Sequence, residues 1–278
     1  MKQLFSFILL LACGSLWSQD GLHTRNVNLP CLDKNFNIMV HLTVDSTTRQ
    51  PFFTNTMVDD LLQKTSKFFE PICLSMSACE VNIIENYTFH NLVDQRRLRE
   101  LEVLFAKPRR INLFIVGTIP QATCGVSSYY GVKQDGGTSI YIEMDSKECI
   151  GSLEGQLAHH IGHFMGLADT YHGNGLEVVD DLNCAMRGDS ICDTRTDPFG
   201  LRAGEGSYVS DDILPEEIGL SSFVNDCEFI HEFRDPNGEW YQPMVGNAMA
   251  AYQCECGFTN GQFLKMVENY SSSNHKPY

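Results

Sequence analysis

The chain has 278 residues, enough for one large domain or two lobes around a cleft. A hydrophobic content of 43% with 20% charged residues excludes a disordered chain. A formal net charge of −15 argues against binding nucleic acid or an anionic membrane through a basic surface, and it fits a soluble exported protein whose carboxylates can hold calcium.

Residues 1–18 read as a signal peptide: Lys2, an apolar run from Leu4 to Ala12, then small residues. Two cleavage readings compete. The run from Leu10 to Gly14 resembles a bacterial lipobox, which would anchor the protein as a lipoprotein through Cys13. Cleavage after Ser18 would release a secreted chain starting at Gln19, and it is preferred because Leu16 and Trp17 extend the apolar region past Cys13. The run is too short to span a membrane, and no later stretch qualifies as a transmembrane segment. Ten cysteines remain outside the leader: Cys31, Cys73, Cys79, Cys124, Cys149, Cys184, Cys192, Cys227, Cys254 and Cys256. An even count in an exported chain predicts disulfides, and the absence of any CxxC pair argues against a cysteine zinc site.

Residues 19–35 are polar and leave little room for a folded inhibitory segment. Cys31 there has two roles open to it, a thiolate cap on a metal or, more simply, a disulfide. Residues 36–44 form an apolar and β-branched run with a strand pattern. Residues 56–69 have helical spacing through Met57, Leu61, Leu62 and Phe68. Residues 79–84 read as a second strand. Residues 91–105 read as an amphipathic helix, with Leu92, Leu98, Leu101 and Leu104 inward and Arg96, Arg97 and Arg99 on a solvated face. Residues 111–116 are a strand buried by composition. Residues 138–144 alternate and read as an edge strand. Residues 152–165 read as a helix with Leu153, Leu157 and Ile161 on its core face. This β-α-β-α-β-β-α order predicts a twisted sheet backed by helices, with the last helix along a cleft. His41, His90 and His231 read as packing or surface residues, and Glu154 as solvent-facing.

The last of these helices carries the most chemistry, in Leu157-Ala-His-His-Ile-Gly-His-Phe-Met-Gly-Leu-Ala-Asp169. His159 and His163 are four apart and share one helix face, a spacing that can hold zinc. Gly166 can take the left-handed conformation that ends a helix. The chain can then swing back to offer Asp169 as a third ligand. Further on, Asp180, Asp181, Asp189, Asp193 and Asp197 crowd one turn-rich region. Such oxygens suit calcium, and an ordinary acidic loop has the same composition.

The helix motif resembles the zinc signature of the metzincin peptidases, His-Glu-x-x-His-x-x-Gly-x-x-His. Two later passages resemble the pappalysin (cytophagalysin) branch of that family. One runs from Gly188 to Pro198. The other is Asn247-Ala-Met-Ala-Ala-Tyr252, which matches the branch's Met-turn with Met249 as its methionine. Phe258-Thr-Asn-Gly-Gln262 also matches, and it opens the last helix with a capping box between Thr259 and Gln262. The resemblance spans about residues 36–270.

The resemblance implies an α+β, metzincin-like zincin fold: a twisted, mostly parallel sheet with backing helices and an active-site helix, then an irregular, disulfide-braced C-terminal lobe. The two lobes would divide at 36–166 and 167–278. It implies a secreted zinc metallopeptidase with His159, His163 and Asp169 on the metal, a peptide or protein substrate added as a strand to the edge strand, and calcium in the acidic loop. It also implies two crossed disulfides, Cys184 with Cys227 and Cys192 with Cys254, with Cys256 competing for the last place. His172 falls outside the family spacing and ranks second to Asp169.

Three positions depart from the family. His160 stands in place of the glutamate that serves as general base, a role worth roughly 10²–10⁴-fold in rate. It can substitute as a base, or it can turn inward and close the metal's open position. Asp169 replaces the third histidine. The family's tyrosine stands two residues after the Met-turn methionine, where Ala251 is found here, so Tyr252 is a displaced candidate for the oxyanion donor. The expectation is a peptidase homologue with weakened or lost hydrolysis. The alternative is an inactive pseudopeptidase that binds peptide or protein segments in the old cleft.

Overall fold

A computed structural model describes residues 29–119, 125–127, 138–144, 152–173, 177–180, 182–199, 224–252, 254 and 256–272. The leader expected over residues 1–18, together with Cys13, Cys124, Cys149 and Asp181, lies outside them. No helix among the described residues is long and apolar enough to cross a membrane.

The apolar runs form a five-stranded sheet in the order β2-β1-β3-β5-β4. Strand β1 (Lys34–Thr43) lies parallel to β2 (Leu74–Ile84) and β3 (Ile111–Val116), and β3 lies parallel to β5 (Thr138–Glu143). Successive residues of a strand point to opposite faces. Ile38, Val40, Leu42, Leu113, Ile115, Ile140 and Ile142 therefore enter the main core, on the side of helices α1 (Asn55–Lys67) and α3 (Leu153–Phe164). Phe114, Val116 and Tyr141 enter a second core under α2 (Gln95–Phe105). Both faces are covered, which is why β3 reads as an unbroken apolar run rather than an alternation. His41, Phe114 and Tyr141 are register partners and stack across three strands, with ring centroids 4.4 and 4.9 Å apart.

Each of the three helices in this part begins at a side-chain cap. The acceptors are Thr54, Asp94 and Ser152. Two sequence expectations are corrected here. Leu104 is 60% exposed. Leu98, Leu101 and Phe105, spaced for one helix face, fill the core side of α2 instead, and Leu92 enters the core from the chain before the cap. The strand at 138–144 is not the sheet edge. A three-residue strand, β4 (Gly125–Ser127), pairs antiparallel beyond it, with Val126 opposite Tyr141. A run that short carries no period-2 signal.

After Gly166 regular structure is sparse among the described residues. It comprises a two-residue ladder, β6 (Val224–Asn225) with β7 (Glu228–Phe229), and helix α4 (Asn260–Ser272). The predicted capping box is present: Gln262 N–H donates to Thr259 Oγ1 at 3.2 Å, and Thr259 N–H donates to Gln262 Oε1 at 2.9 Å. Phe258, Phe263 and Met266 join the same core as the sheet and α3. Gly166 has φ +89°, and Asn269 of α4 donates to the Met165 carbonyl at 3.1 Å. That close approach leaves no room for a Cβ at Gly166.

Three disulfides occur among the described residues: Cys31–Cys73, Cys184–Cys192 and Cys227–Cys254. Cys31 is thus a disulfide residue and not a metal cap. The four cysteines expected to brace the second part are all bonded, but not in the crossed pairing. The turns at 182–190 bring Cys184 back to Cys192, with Cα atoms 5.0 Å apart. The β6–β7 turn presents Cys227 to Cys254 at 5.6 Å. Cys79 and Cys256 stand outside these bonds.

Candidate metal centre

Helix α3 places His159 and His163 one turn apart, with ring centroids 4.5 Å from each other. The turn at Gly166 reverses the chain, because Gly166 N–H donates to the His163 carbonyl and Leu167 N–H to the Gly162 carbonyl. Asp169 is thereby returned to the histidines. Its Oδ1 lies 3.4 Å from His159 Nε2 and 3.3 Å from His163 Nε2. Among the described residues these three form the only group of three or more histidine, cysteine or acidic side chains close enough to share an ion.

The donor chemistry suits zinc. Each of these histidines directs Nδ1 to a backbone carbonyl: His159 Nδ1 lies 2.9 Å from the Ala248 oxygen, and His163 Nδ1 lies 3.0 Å from the Leu167 oxygen. A carbonyl accepts only from N–H, so the proton sits on Nδ1 and the Nε2 lone pair faces Asp169. Burial, with neighbouring His163 as a second cause, lowers His159 to about 4, so its ring is neutral at pH 7. Metal–nitrogen bonds of about 2.0–2.1 Å put two tetrahedral ligand atoms about 3.3–3.4 Å apart, which matches the two observed separations.

The loop around Met249 supports this helix from below. Met249 is fully buried, and its Sδ rests against Gly162, where a Cβ would collide with it. Asn247 Oδ1 accepts from Met249 N–H at 2.8 Å, and the Asn247 and Gln262 amides bond each other reciprocally at 2.8 and 3.1 Å. The start of α4, the turn at 247–249 and helix α3 are thus one connected unit.

His160 lies elsewhere. Its ring is buried, and its Nε2 and Cδ2 edge packs against Gly125 of β4, where a Cβ would collide with it. It does not belong to the group formed by His159, His163 and Asp169. Burial, then the charges of His159 and His163, hold it well below the usual histidine range. His172 is exposed and also outside the group.

Tyr252 does not face a cleft. It is buried beside Phe199 and Phe229, and its hydroxyl donates to Asp197 Oδ1 at 2.5 Å. The hydroxyl of Tyr252 is thus engaged by a buried carboxylate. The described acidic residues accept hydrogen bonds from nearby chain. Asp193 accepts from Thr259 Oγ1 and from Gly261 N–H at the start of α4, both at 2.7 Å. Asp189 accepts from Ile191 N–H and Thr194 Oγ1, both at 2.9 Å. Asp180 accepts from Leu182 N–H at 3.2 Å. Sequence reasoning missed Asp235, which is buried and takes Val179, Asn237 and Glu239 N–H groups. It also missed the Ala248 carbonyl and the Gly125 contact, since neither of these two has a local sequence signal.

A helix with two histidines one turn apart, a glycine turn and a returning aspartate lies along a mostly parallel sheet, in an α+β fold. No family model matches the sequence, and no curated protein sequence does either. Solved structures overlap it in part. Metalloproteinase-II from Bacteroides fragilis aligns with TM-score 0.32 and 12% identity, over 52% of this chain and 46% of that one. A chaperone–substrate complex aligns with TM-score 0.30 and 11% identity, over 50% of this chain and 25% of that one. Archaemetzincin from Methanopyrus kandleri aligns with TM-score 0.29 and 12% identity, over 50% of this chain and 78% of that one. This chain thus spans less than half the length of the first two.

Proposed function

We propose that the chain is an exported zinc-binding homologue of the pappalysin-type metallopeptidases in which peptide-bond hydrolysis is weakened or lost. The observation that carries this reading is the convergence of His159, His163 and Asp169 at tetrahedral ligand spacing. These three residues would hold the ion. A zinc ion there supplies Lewis-acid polarisation of a carbonyl and acidification of water. The chain's own residues supply the rest poorly. At the position of the general base, His160 is turned into the β4 contact and kept neutral by burial. The phenol of Tyr252 is committed to Asp197. The three disulfides among the described residues suit an oxidising, extracellular compartment.

The second reading is a pseudopeptidase that captures extended peptide or protein segments by strand addition. The position of β4 at the sheet edge favours it, and the binding strand would be β4 rather than β5. For the acidic loop we further propose calcium at Asp189, whose buried Oδ2 accepts no hydrogen bond. The expected result there is a higher melting temperature on adding calcium to zinc-loaded protein, absent in Asp189→Asn.

Elemental analysis of mature protein beside a peptide-cleavage assay tests the main reading. One zinc per chain is expected, with little cleavage of a broad fluorogenic peptide mixture by the wild type and more by His160→Glu. Efficient wild-type cleavage would refute the loss of hydrolysis. A chain that takes up no zinc would refute the metal site.

A further inference from the structure

The replacement of a histidine ligand by Asp169 sets a positional problem. An aspartate side chain is shorter than a histidine, so the backbone that carries it must come closer to the ion and stay there. That backbone is pinned on both sides of the ligand. Before it, the Leu167 N–H and carbonyl bond Gly162 and His163 Nδ1, each at 3.0 Å. After it, Thr170 N–H donates to the Met249 carbonyl at 3.1 Å, and Thr170 Oγ1 donates to Asp197 Oδ2 at 2.7 Å. Asp197 is buried and takes two more donors, Phe199 N–H at 3.0 Å and the Tyr252 hydroxyl at 2.5 Å.

We propose that Asp197 is a positioning residue for the metal ligand Asp169, acting through Thr170, and that the displaced Tyr252 has been recruited to hold Asp197 in place. This inference rests on the zinc-binding reading of the site. The Asp197 carboxylate ties together three stretches: the ligand turn at 167–170, the loop at 197–199 and the chain following Met249. The departures at Asp169 and Tyr252 then form one rearrangement. A short ligand needs a braced turn, and the phenol that no longer faces a cleft supplies part of the brace. Outer-shell partners of this kind typically govern metal affinity by about 10–100-fold.

Thr170→Val, Thr170→Ser and Tyr252→Phe test the proposal, with zinc affinity read by competition against a chromophoric chelator. The visible spectrum of the cobalt(II)-loaded protein reports ligand geometry independently. Thr170→Val and Tyr252→Phe are expected to weaken zinc binding by about 10–100-fold and to alter the cobalt spectrum. Thr170→Ser, which keeps the hydroxyl, is expected to retain wild-type values. Thr170→Val preserves the side-chain shape, so it decides the outcome should Tyr252→Phe not fold. Wild-type affinity and spectrum in the valine variant would overturn the proposal while leaving the metal site standing. A wild type that binds neither zinc nor cobalt would overturn the site itself, and the proposal with it.

Discussion

Strand β3 and the loop from Asp189 to Asp197 are ordered by opposite means. All six residues of β3 are buried, and the strand is paired on both sides, to β1 and to β5. Its stability comes from apolar burial, and its single polar side chain, Asn112, bonds the neighbouring loop. In the loop, carboxylates, those of Asp189 and Asp197 buried, organise the backbone. Asp189 ties Ile191 and Thr194, Asp193 ties the start of α4, and Asp197 ties Thr170 and Tyr252. Asp235 does the same for Val179 and the 237–239 turn. The difference teaches where each part is vulnerable. The sheet tolerates changes of charge in its surroundings but not loss of volume. The loops tolerate loss of volume but not loss of an acceptor, because a buried N–H without a partner costs a full desolvation penalty.

The sharpest way to break this contrast is a matched pair of truncations. Leu113→Ala removes a fully buried side chain from β3 and is expected to cost about 2–5 kcal/mol in urea unfolding, with the far-ultraviolet circular dichroism of the folded state unchanged. Asp235→Ala removes an acceptor for three backbone N–H groups and is expected to cost about 1.5–3 kcal/mol by the same measurement, despite deleting no apolar surface. A near-zero effect at Asp235 would mean that the loops are held by their disulfides alone.

The most gradual effect expected, spread over several pH units, is a pH dependence from Asp189, measured in calcium-free buffer. Burial raises this carboxyl from its ordinary 3.8 to about 7. Between about pH 4 and 7 the folded chain keeps a proton that the unfolded chain has released. Stability is therefore greatest below that window and falls as pH rises through it, by no more than about 1.4 kcal/mol per pH unit. Asp189→Asn, which cannot titrate, should flatten that slope. An unchanged slope would assign it to another group.

Much of the sheet-and-helix part was legible in the sequence for the reason that makes it stable. Period-2 and period-3.6 apolar patterns are local, and they predict which face is buried before any partner is known. The same holds for the capping box at Thr259 and Gln262 and for the glycine turn at Gly166, each complete within four or five residues. The spacing of His159, His163 and Asp169 suggested a common ion, because one helical turn and one tight reversal bring them together without help from distant chain.

What the tertiary structure alone decided depends on partners far apart in sequence. Cysteine pairing followed from which turns close on which, so Cys184 met Cys192 rather than Cys227. The edge of the sheet was decided by a three-residue strand with no period to read. His160 was placed by Gly125, 35 residues upstream in the sequence. Tyr252 was placed by Asp197, 55 residues away. A buried polar side chain must find a donor or acceptor wherever the fold supplies one, and that demand has no periodicity. The sequence by itself determined the helix, its histidines and the returning aspartate. Only the packing of the later loops determined what braces them.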